Sequence, residues 1–69
     1  MKTKQVLHII DNGKEYRVIK YYGKNNPYRI YQDIRTIEDG VLKEKRILLD
    51  SYANLASCFY WFLDHDVGF

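Results

Sequence analysis

Two dipeptides set most of what this chain can become. Asn12-Gly13 and Asp39-Gly40 each interrupt a run of strand-forming residues. Such pairs suit a two-residue hairpin turn, because both central residues take positive φ, which glycine adopts without a clash and Asn or Asp tolerates. Residues 4–11, with Val6, Leu7, Ile9 and Ile10, and residues 14–22 therefore predict one hairpin. Residues 28–37 and 41–49 predict a second. Between them, 23–27 reads as a loop, in which glycine, two asparagines and Pro27 punctuate the chain.

Turn length fixes register. At the first hairpin it sets Asp11 against Lys14, Ile9 against Tyr16 and Leu7 against Val18. One face then carries Leu7, Ile9, Tyr16 and Val18, a core face; the other carries Val6, His8, Ile10, Glu15, Arg17, Ile19 and Tyr21. At the second, a two-residue turn opposes Arg35 to Glu44 and Asp33 to Arg46, both favourable pairs. A three-residue turn would oppose Arg35 to Lys43. The first register puts Ile30, Ile34, Ile47 and Leu49 on one side with Gln32, Lys43 and Lys45. Tyr31, Asp33, Arg35, Ile37, Leu42, Glu44, Arg46 and Leu48 take the other.

Residues 51–65 change period. Phe62, Leu55, Phe59, Tyr52, Leu63 and Ala56 fall within roughly 120° of a helical wheel, an arc expected to lie on the sheet. Asp50 or Ser51 suits the N-cap, and Gly68 a C-cap with Phe69 folding back toward Leu63. The expected fold is α+β, ββββα: a four-stranded antiparallel meander of two hairpins with one C-terminal helix on one face. Residues 1–69 form a single small domain. One helix covers one face of such a sheet, which leaves the second face solvated or bound to something.

Composition narrows the function. The lone cysteine, Cys58, has no internal disulfide partner, which points to a reducing compartment. The longest apolar run is far shorter than the ~20 residues of a membrane span. A cytoplasmic protein without membrane attachment is expected. Two histidines and one cysteine at unrelated positions offer no defensible catalytic or zinc-binding set. The four glycines are isolated, so no phosphate-cradling loop is present. The expectation is a protein that is not an enzyme and uses no metal or cofactor.

Net charge is only +2, but it is unevenly placed. Residues 14–47 hold nine Lys/Arg and five Asp/Glu, while residues 50–69 hold three Asp and no Lys or Arg. The strands are basic and the helix acidic. Two features suggest contacts with another molecule. Trp61 falls on the polar arc of the wheel, among Asn54, Ser57, Asp64 and His65, and outward tryptophans are enriched at binding hot spots. The uncovered sheet face would show Arg17, Tyr21, Tyr31, Arg35 and Arg46 among aliphatic side chains. These six residues are the candidate contacts for a partner protein or a second copy, and a small regulator or inhibitor is the leading expectation. The alternative is nucleic-acid binding through Arg17, Lys20, Lys24, Arg29, Arg35 and Arg46, with tyrosines as stacking surfaces.

Residues 28–65 run strand, hairpin, strand, helix. That order resembles the sheet-plus-helix DNA-binding modules of arm-type integrases and AP2 domains, in which strands enter the major groove. The resemblance implies Tyr28-Arg29-Ile30-Tyr31 as the reading strand. Those modules carry a third strand of their own and are more basic than this chain.

Overall fold

The computed structural model of the protein describes residues 2–68. Four strands, β1 (Thr3–Asp11), β2 (Lys14–Tyr21), β3 (Tyr28–Glu38) and β4 (Val41–Tyr52), precede one helix, α1 (Leu55–Asp64). The strands form one antiparallel sheet in the order β1-β2-β3-β4, so the fold is the expected ββββα meander. At both tight turns the two central residues have positive φ: 51° and 77° at Asn12-Gly13, 52° and 77° at Asp39-Gly40. The predicted registers hold, with Ile9 opposite Tyr16, Asp33 opposite Arg46 and Arg35 opposite Glu44.

Two register shifts depart from the expected pairing. One lies between Gln5 and Leu7, and the other comes where Ile30 pairs with Asp50 while Tyr31 pairs with Leu48. A bulge adds a residue to one strand and bends it. The first turns Val6, expected on the open face, onto the core; the second leaves Leu49 between ladder positions, also against the core. Both bulges lie on edge strands, where they interrupt the row of free amides that would template further pairing.

The core is small and lies on one side. Ile9, Tyr16, Val18 and Ile30 of the sheet meet Cys58, Phe62 and Val67, and Val18, Ile30, Cys58 and Phe62 are fully enclosed. Tyr16 meets Phe62 edge-on, with ring centres 5.9 Å apart. Pairing of β2 with β3 ends at Glu15 and Asp33, so residues 34–45 continue as a two-stranded ribbon beyond the rest. Ile34 and Ile47, expected on the same side as Ile30, lie outside this cluster. The molecule is a slab of 40 × 30 × 15 Å.

The helix differs from expectation at both ends and in its facing. β4 runs through Tyr52, so neither Asp50 nor Ser51 is the N-cap; Asn54 is, and its side-chain oxygen accepts from the Ser57 amide at 2.9 Å. At the other end the left-handed residue is Asp66 (φ 55°) rather than Gly68. The Val67 amide donates to the Phe62 carbonyl at 2.9 Å and the Asp66 amide to the Leu63 carbonyl at 3.2 Å. This paired pattern is a Schellman motif, and the buried Val67 is its apolar closure. The expected fold-back of Phe69 lies outside the described residues.

The buried arc centres on Leu55, Cys58 and Phe62, rotated by roughly 70° from the expected one at 100° per residue. Tyr60 and Leu63 are consequently more than half exposed. Trp61 is drawn inward.

Candidate functional site

The face opposite the helix is built from alternate residues of all four strands, and the ladder arranges them in rows. One row is His8, Arg17, Tyr31 and Leu48; the next is Ile10, Glu15, Asp33 and Arg46. Within them, two carboxylates are surrounded by cations. Asp33 accepts from Arg46 Nε and from Arg17 Nε, each at 2.7 Å. Glu15 meets His8 Nε2 at 2.8 Å, Arg17 Nη2 at 3.3 Å and Arg35 Nη2 at 3.4 Å. Arg35 also reaches Glu44 at 3.4 Å, and Arg17 Nη1 donates to Gln5 Oε1 at 2.6 Å.

The two carboxylate side chains are only 15% and 14% exposed. Their pairing outweighs the desolvation that opposes it. The hydrogen bond to His8 is the main force holding the Glu15 carboxyl below its ordinary value, with Arg35 and Arg17 adding to it. Arg46, and after it Arg17, does the same for Asp33, and Asp33 in return raises the guanidinium of Arg46.

A second cluster adjoins this network. The Tyr31 hydroxyl donates to the Tyr21 hydroxyl at 2.9 Å, Arg29 sits 4.3 Å above the Tyr21 ring and Arg46 lies 5.7 Å from that of Tyr31. Tyr31 and Ile19 are buried on this side, apart from the main core. Around these groups Ile10, Ile37, Leu42 and Leu48 stand 69%, 77%, 59% and 52% exposed.

The structure thus brings together five of the six candidate partner contacts: Arg17, Tyr21, Tyr31, Arg35 and Arg46. It separates the sixth. Trp61 belongs to the helix side, half-buried, with its ring 6.4 Å from Tyr16, 5.4 Å from Phe62 and stacked on His65 at 3.9 Å. It is a rim residue of the core. The wheel pointed it outward because its neighbours on the wheel are polar, whereas the ring reaches sideways from that arc to Tyr16 and Phe62.

Of the candidate nucleic-acid contacts, Arg17, Arg35 and Arg46 are held by carboxylates, while Lys20, Lys24 and Arg29 make no ion pair among the described residues. The suggested reading strand divides between faces. Ile30 is enclosed and Tyr31 buried, while Tyr28 on the helix side and Arg29 on the open side are both half-buried. The aliphatic side chains expected on this face divide: Val6 turns to the core and Ile19 is buried, while Ile10, Ile37, Leu42 and Leu48 stay exposed.

Cys58 is fully enclosed, and burial pushes its thiol up to about 11. Among the described residues no three metal-ligating side chains converge, and no helix is long and apolar enough to cross a membrane. Comparison of the chain with protein-family models, with curated proteins and with solved structures gives no match.

Proposed function

We propose that this chain is a non-enzymatic binding module that occupies a partner protein through the face of its sheet opposite the helix, as a small regulator or inhibitor does. The observation that carries the reading is the exposure of Ile10, Ile37, Leu42 and Leu48 around a network whose charges already balance one another. Exposed aliphatic groups gain from being covered, at roughly 25 cal/mol per Å². The arginines are held in place by neighbouring carboxylates, so docking neither orders them nor strips water from an unpaired charge. A polyanion would instead have to compete with Glu15, Asp33 and Glu44 for the same guanidinium groups. The slab measures 40 × 30 Å, wide enough to bury the ~800 Å² per partner of a standard interface.

The test compares wild type with two charge insertions, Leu42→Asp with Leu48→Asp on the open face and Leu63→Asp on the outer side of the helix. Circular dichroism establishes that each is folded. A protein captured from the native cell by wild type and by Leu63→Asp, but not by the open-face variant, supports the reading. Equal capture by all three overturns it. Sedimentation of the purified chain decides whether a second copy can be the occupant.

A further inference from the structure

Charge on this molecule is sorted along the strands. Every ion pair among the described residues involves Glu15, Asp33, Glu38 or Glu44 and lies toward the two tight turns. Asp11 is held at that end too, by the Gly68 amide at 3.2 Å. The other end of the sheet, where residues 22–27 link β2 to β3, carries Lys2, Lys20, Lys24 and Arg29, none paired with a carboxylate among the described residues. The nearest acid along the ladder is Asp50, opposite Ile30, and it already accepts from the Ser51 amide and the Tyr52 hydroxyl.

Tyrosines are interleaved with these cations. Lys20 Nζ lies 4.7 Å from the centre of the Tyr22 ring and 5.3 Å from that of Tyr28, and Lys2 approaches Tyr22 from 5.3 Å. On the opposite face Arg29 lies 4.3 Å over Tyr21. The rings are fixed by the ladder: Lys20 pairs with Tyr28, and the Tyr21 amide donates to the Pro27 carbonyl at 2.7 Å. Tyr22 is 38% exposed.

We infer that this loop end of the sheet binds single-stranded nucleic acid. Lysines without a carboxylate partner supply phosphate contacts, and tyrosine rings with a guanidinium beside them offer surfaces on which an unstacked base can lie. A duplex keeps its bases stacked and cannot use these rings. An acidic protein segment would use the cations but leave the tyrosines idle. A membrane surface would be expected to engage aliphatic groups, yet the exposed Ile37, Val41 and Leu42 lie at the far end. The site adjoins the open face at Tyr21 and Arg29 but includes none of its exposed aliphatic side chains, so Leu42→Asp with Leu48→Asp should leave oligonucleotide binding unchanged and separates the two readings.

The test is fluorescence anisotropy of a labelled mixed-sequence single-stranded oligonucleotide with the intact chain. If three cations meet phosphates, log affinity falls against log salt with a slope near −2, about 20-fold from 50 to 200 mM. Lys24→Ala and Arg29→Ala should each flatten that slope by about 0.7. Tyr22→Leu should weaken binding about 5-fold or more without changing the slope. Lys43→Ala, an equal loss of charge on the far ribbon, should leave binding unchanged. Four results overturn the inference: no binding at low salt, duplex bound as tightly, Lys43→Ala as damaging as Lys24→Ala, or displacement of the oligonucleotide by an equal charge of polyglutamate. The last would assign the cations to an acidic protein.

Discussion

Asp66 holds a left-handed φ of 55° one residue beyond the helix cap, a position that glycine fills most readily. It also places a negative charge at the negative end of the helix dipole. Asp66→Gly removes both penalties, and should raise stability by about 0.5–1 kcal/mol, read as a higher denaturant midpoint with an unchanged slope. Phe62 shows the opposite limit. It is fully enclosed and touches both Tyr16 and Trp61. Phe62→Ala should cost about 3–5 kcal/mol. A chain this small has stability of roughly that order, so the variant should lack a cooperative thermal transition.

Between β2, β3 and β4, the ion-pair network ties the strands together side chain to side chain on this face, next to the Tyr31–Tyr21 hydrogen bond. Folding lowers the carboxyls of Glu15 and Asp33 below their ordinary 4.5 and 3.8. The unfolded chain therefore takes up protons before the folded one does. The network's contribution is present above those values and is lost as pH falls through the lower, folded ones. The denaturant midpoint should hold from about pH 7 to about pH 5 and then decline, while a Glu15→Gln, Asp33→Asn double variant declines less. The second hairpin divides at Asp33, since past it the β2–β3 ladder ends and only the Glu15–Arg35 ion pair reaches the ribbon from β2. Amides of residues 36–43 should exchange with solvent much faster than those of Val18 and Ile30, as amide exchange by NMR would show.

At the scale of the whole molecule, the slab has one sealed face, one exposed face, and charges sorted toward opposite ends. Much of this was legible in the residues themselves. Asn12-Gly13 and Asp39-Gly40 both suit a two-residue turn. At the second, where a three-residue turn competes, the favourable pairs Asp33 with Arg46 and Arg35 with Glu44 choose the register. The six-residue connection from Tyr22 to Pro27 gives no such rule, so the offset of β2 against β3 could not be read. It is set where Val18 and Ile30 meet beneath the helix, and it is what brings Glu15 to Arg35 and Arg17 to Asp33. The helix was legible as a helix, but not which way it faces. Leu55, Ala56, Cys58, Phe59, Tyr60, Trp61, Phe62 and Leu63 are all apolar or aromatic, so several sides compete on hydropathy. Packing chose the side of Leu55, Cys58 and Phe62, which meets Val18 and Ile30 of the sheet, and Tyr16 holds Trp61 at the rim. Local rules with a short reach, turn chemistry and strand alternation, were sufficient for the elements and their order. Facing, bulges and the convergence of charges depend on contacts between residues far apart in the chain, which only the folded molecule brings within reach.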